Sequence, residues 1–140
     1  MRFMILVKAN AESENGKLPS AQDLAEMTKF NEELAKAGVM LAGEGLHSSA
    51  KGARVRFGEG KPKVIDGPFT EAKELIAGFW IWNVKSKEEA IEWLKRAPFK
   101  EGEVEIRQVF ESEDFGSNLT PETKAREERI RAEVSKRHGR

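Results

Sequence analysis

Short apolar runs alternate along the chain with stripes of apolar residues at helical spacing. Phe3 to Val7 is an unbroken apolar run followed by polar residues, which predicts a strand buried on both faces. Asn10 to Pro19 reads as a polar connection. Ser20 with Asp23 three positions on opens a helix, in which Leu24, Met27, Phe30 or Asn31, and Leu34 follow one face until Gly38 closes it. Val39 to Leu46 predicts a second strand. It carries Gly43 and Gly45 around Glu44, where glycine implies a bulge or the close approach of another backbone or a ligand. Arg54 to Phe57 and Lys63 to Asp66 predict a hairpin joined through Gly58 to Pro62.

Further along, Asp66-Gly67-Pro68 is a turn and Phe69 to Ile76 predicts a helix of two turns at most. Gly78 to Val84 is the most apolar strand, with Trp80 and Trp82 on one face and Phe79 and Ile81 on the other. Ser86 and Glu89 open a helix whose stripe is Ala90, Ile91, Trp93, Leu94 and Ala97, and Pro98 stops it. Glu103 to Phe110 is the last strand. Thr120-Pro121 starts a helix that is charged nearly all round, with basic residues exceeding acidic by three over 117–140.

This order predicts an α+β domain, a ferredoxin-like antiparallel sheet with its helices on one face and an added hairpin. A sheet of that kind leaves its other face to water, yet two of these strands are apolar on both faces. The charged C-terminal arm offers too little apolar area to cover them. A second copy of the same sheet does, so the expectation is a homodimer forming an α+β barrel.

Charge and composition narrow the chemistry. The 140 residues hold 24 Lys+Arg against 24 Asp+Glu, so no long-range field steers the chain onto nucleic acid or an anionic membrane. Cysteine is absent and only His47 and His138 are histidines, which disfavours thiolate chemistry and multi-His metal sites. No metal or organic cofactor is expected. The apolar run near the N-terminus is far too short for a membrane span, and the reading is of a cytoplasmic protein.

Strand directions bring Lys8, Asn10, His47, Ser48, Ser49, Asp66, Thr70 and Lys73 toward one rim of the sheet. Within it His47 and Asp66 pair a group that titrates near neutrality with a carboxylate able to hold its tautomer, as general acid/base chemistry requires. Asp66 before Gly-Pro equally suits a helix cap. Glu44 between its glycines is a second candidate carboxylate, and Ser48, Thr70 and Lys73 are candidate substrate contacts. Trp80 and Trp82 fit core or dimer packing.

Asp66-Gly67-Pro68-Phe69-Thr70-Glu71-Ala72-Lys73-Glu74, followed by Gly78-Phe79, resembles the signature of the DGPF branch of the YCII-related family. Gly43-Glu44-Gly45-Leu46, Ser86 to Ala90, Glu105 to Val109 and Glu113 to Gly116 resemble it too, so the likeness covers residues 1–116 and leaves 117–140 as an appended helical arm. The resemblance implies a dimeric α+β barrel with Asp66 in a pocket at the dimer cleft, binding or transforming a small metabolite. It also implies an alternative, a non-catalytic dimeric regulator linked to sigma-factor signalling, since genes of this branch often neighbour those of extracytoplasmic-function sigma factors. The chain departs from the family at Ser48, where proline is common, and in the exchanged order of Thr70 and Ala72.

Overall fold

The computed structural model describes residues 1–139. They fall into two compact units, divided between Val109 and Phe110. The first contains β1 (Arg2–Lys8), α1 (Ala11–Glu14), α2 (Ala21–Lys36), β2 (Met40–Gly45), β3 (Ala53–Arg56), β4 (Lys63–Asp66), β5 (Ile76–Asn83), α3 (Lys87–Lys95) and β6 (Val104–Gln108). Four strands form an antiparallel sheet in the order β2-β5-β1-β6, and β3 and β4 form a separate two-stranded ribbon. Apart from the ribbon, this is the ferredoxin-like arrangement expected from the element order.

The core occupies one face of the sheet. Phe3 and Ile5 of β1 and Trp80 and Trp82 of β5 are buried with Phe30 and Leu34 of α2 and Ala90 of α3. Phe30 meets both indoles edge-on at 5.9 and 6.3 Å, and the indoles lie 5.5 Å apart. Each such aromatic pair adds about 0.5–1.5 kcal/mol beyond the area it buries. Trp82 Nε1 has no hydrogen-bond partner among the described residues, so the aromatic cluster also offsets a buried donor that none of them pairs. On the other face Met4 and Leu6 lie opposite Ile81 and Phe79 and are only half-buried.

The helix starts follow the sequence closely. Ser20 and Ser86 accept the N–H groups of Asp23 and Glu89 at 3.0 and 3.1 Å, and Gly38 just beyond α2 takes a left-handed φ of 74°. Two expectations are corrected. The polar connection contains α1, a single turn capped reciprocally by Asn10 and Ser13. The expected helix over 69–76 shrinks to a 3-10 turn at Ala72–Glu74. The sheet claims the backbone from there on, because Ala9 N–H bonds to the Leu75 carbonyl at 2.9 Å and Leu46 N–H to that of Ala77 at 2.8 Å. The N-cap of that 3-10 turn is Glu71, so Asp66 does not cap it.

The second unit contains a 3-10 segment, Ser112–Asn118, and α4 (Pro121–His138) capped by Thr120. Phe110 and Phe115 stack at 4.9 Å within it. α4 buries no residue and exposes Ile130 and Val134, and Glu133 pairs with Arg137 at 3.1 Å. Among the described residues no helix is long and apolar enough to cross a membrane.

Candidate functional site

Two features of the first unit bear on function, a locked loop at the end of the β3–β4 ribbon and a cavity against the sheet. In the loop, Gly67 passes so close to the turn at Ser49–Lys51 that a Cβ there would lie 1.7 Å from the Ser49 carbonyl oxygen. Its N–H bonds to the Gly52 carbonyl at 3.0 Å. Phe69 N–H bonds to Ser49 Oγ at 3.0 Å, and the Phe69 ring lies 3.8 Å beneath the Arg54 guanidinium. Ser49 is in turn held by Glu14 of α1, whose carboxylate accepts from both its N–H and its hydroxyl. Glycine and phenylalanine of the Asp66-Gly67-Pro68-Phe69 stretch thus tie three segments together.

Those bonds to Ser49, its hydroxyl foremost, hold the Glu14 carboxyl below its ordinary value of 4.5. A carboxylate with a depressed folded pKa contributes stability that is present above 4.5 and is lost as pH falls through the folded value. Amide hydrogen exchange at Ser49 and Phe69, corrected for its intrinsic pH dependence, is therefore expected to accelerate below pH 4.5 while β1 and β5 amides stay protected. Loosening of all of them together would refute a local clamp.

The residues nominated from sequence divide between these features. Ser48 caps the turn after β2, Ser49 is the clamp, and His47 is exposed just before them. Asp66 ends β4 opposite Ala53, with its side chain exposed and without a hydrogen bond to the described residues. Thr70 and Lys73 are exposed on the following loop. Lys8, the last residue of β1, pairs with Glu105 of β6 at 3.4 Å. Among the described residues no group of three or more His, Asp or Glu is placed to hold a metal ion.

The cavity, about 300 Å³, lies on the core side of the sheet where β2 and β5 meet α2. That is the lower end of the range of about 300–1,000 Å³ typical of small-molecule sites. Three glycines shape its wall, each for a different reason. A Cβ on Gly43 would meet Trp80 Cδ1 at 2.7 Å, so this glycine makes room for the indole beside β2. A Cβ on Gly78 would lie 3.0 Å from the Glu44 carbonyl oxygen. At Gly45 there is nothing within 4 Å, and the space a side chain would fill is left open. Met27, Phe99 and the side chain of Asn31 complete the lining. Glu44 borders the cavity, but strand alternation puts its carboxylate on the opposite face, across from Phe79. An adjoining groove of about 510 Å³ shares Pro19, Met27 and Phe99 with the cavity and opens along the Asn10–Ser20 connection.

A YCII-related domain matches residues 1–113. The chain belongs to the YCII-related family. Among solved structures, 5-chloro-2-hydroxyhydroquinone dehydrochlorinase (TftG) from Burkholderia phenoliruptrix AC1100, in complex with 2,5-dihydroxybenzoquinone, is similar at 18% identity. The alignment covers 81% of this chain and 98% of that one, with a TM-score of 0.46. No curated protein matches the chain.

Sequence reasoning gathered this YCII-related chain's candidates at the rim, and of the nominated residues only Glu44 borders the cavity. Asn31 was legible only as one of two residues competing for a helix stripe, and Phe99 follows the Pro98 that ends α3. The surviving signal was the Gly43-Glu44-Gly45 triplet, which does mark the cavity wall. Glu14 carried no signal at all, since its role depends on a serine 35 positions away.

Proposed function

We propose that this protein binds and transforms a small molecule in the glycine-walled cavity, as a cytoplasmic homodimer whose second copy covers the half-buried sheet face. The observation that carries the reading is the cavity itself, apolar, kept open at Gly45 and provided with an amide at Asn31. Asp66, which does not line the cavity and whose carboxylate is free of hydrogen bonds to the described residues, reaches the ligand only if the second copy extends the site to it. There it serves as acid/base or ligand anchor at the dimer cleft, with His47, Ser48, Thr70 and Lys73 on neighbouring loops. A second reading, a non-catalytic interaction protein, is favoured by the exposed Ile130 and Val134, one turn apart on α4.

A thermal-shift screen of small uncharged and anionic metabolites tests the first reading, because a ligand selective for the native state raises Tm. Compounds that stabilise the wild type but neither Gly45→Val nor Asp66→Asn support it in full. Stabilisation that survives Asp66→Asn removes Asp66 from the site, and a screen without a single shift favours the interaction reading.

The dimer has its own test. Phe79 lies on the half-buried face between Leu6 and Glu44. Phe79→Glu sets a charge in the middle of the proposed contact, and the expected result is a monomer by sedimentation at micromolar concentration with unchanged far-UV circular dichroism. A wild type already monomeric under those conditions would remove the dimer.

A further inference from the structure

The polar side of the cavity is set by one hydrogen bond. Trp80 Nε1 donates to Asn31 Oδ1 at 2.8 Å. An indole nitrogen can only donate, so the amide oxygen must face the indole and the amide nitrogen must face away from it. Nothing else among the described residues bonds to the Asn31 side chain, which leaves the two N–H groups of Nδ2 unpartnered on a half-buried residue at the cavity wall. The remaining lining is apolar, from aromatic, thioether and small aliphatic side chains, or glycine backbone. Glu44, the ionisable residue bordering the cavity, has its carboxylate on the other face of the sheet. A mainly apolar slot with no charged side chain in it and a pair of amide donors at its wall disfavours cations and suits a neutral acceptor. Its shape adds a second demand. Trp80 forms one wall, Phe99 stands edge-on to it at 6.1 Å and 73°, and Gly45 leaves the strand beside them without a side chain.

Resting on the reading of the cavity as the binding site, we infer that it takes a flat, uncharged molecule carrying a carbonyl-type oxygen, and that Asn31 is the residue that orients it through Nδ2. Trp80 is then a positioning residue, holding the amide in the donating orientation.

The test compares two probes of nearly equal shape, 1-indanone, which has the carbonyl, and indane, which lacks it. Binding is followed by ¹H–¹⁵N correlation spectra of the intact protein, reading the Trp80 indole N–H and the Asn31 side-chain amide. The expected result is that both probes shift Trp80, that only 1-indanone shifts the Asn31 amide downfield, and that 1-indanone binds roughly fivefold more tightly. Asn31→Asp keeps an oxygen for Trp80 and removes the donors, so the preference for 1-indanone is expected to vanish while indane binding persists. Equal affinities with an unmoved Asn31 amide would overturn the role of Asn31 and leave the cavity reading intact. A Trp80 resonance moved by neither probe would overturn both. The wild-type spectra decide the matter even if Asn31→Asp fails to fold.

Discussion

Gly67→Ala is expected to destabilise the protein by about 3 kcal/mol, a large loss for the addition of one methyl group. The new Cβ would lie 1.7 Å from the Ser49 carbonyl oxygen and 2.7 Å from its carbon, and both are backbone atoms. Rotating a side chain cannot relieve that overlap. Ser49 cannot retreat cheaply either, because its N–H and hydroxyl are bonded to Glu14 and its Oγ receives Phe69 N–H. One of the three segments has to detach. Urea unfolding measures the loss, and hydrogen exchange at Phe69 shows where the strain is released. Gly58→Ala, in the ribbon's connecting loop with nothing within 4 Å of its Cβ, is the matched control and should stay within about 0.5 kcal/mol of wild type. If Gly67→Ala were equally mild, the lock would not exist. Glycine and phenylalanine of the motif would then need another explanation, and Asp66 would lose the frame that positions it.

Gly45→Val is expected to do the reverse, leaving the fold intact and abolishing ligand stabilisation. Gly45 ends β2, its backbone is compatible with any L-residue, and the space where its side chain would go is unoccupied. Valine suits a strand, so Tm should stay within a few degrees of wild type or rise. Its methyl groups would stand in a cavity of only about 300 Å³, against the position where a ring would lie beside Trp80. Any compound found in the thermal-shift screen should shift the wild type and not this variant. A compound that stabilises both equally binds elsewhere, and the cavity would cease to be the candidate site. The two substitutions thus separate a glycine needed by the fold from a glycine left open for a ligand, a distinction invisible in the composition.

Much of the architecture was legible in the chain. Serine caps at Ser20 and Ser86, the glycine stop at Gly38 and the alternation of Trp80 and Trp82 with Phe79 and Ile81 each act over a few residues, and local rules read them correctly. The order of elements, together with the Asp66-Gly67-Pro68-Phe69 stretch, led to the ferredoxin-like sheet and the YCII-related family. The segment at 69–76 was misread because its helix-forming residues compete with a sheet, and the bonds that decide the contest come from Ala9 and Leu46 far along the chain. The site was harder still. Whether a glycine accommodates a tryptophan, a carbonyl or a vacancy depends on what stands opposite it, and a serine becomes a clamp only when a distant carboxylate reaches it. Periodicity and capping chemistry are written in neighbours, whereas cavities and close approaches arise where segments remote in sequence converge, and only their packing against one another could decide them.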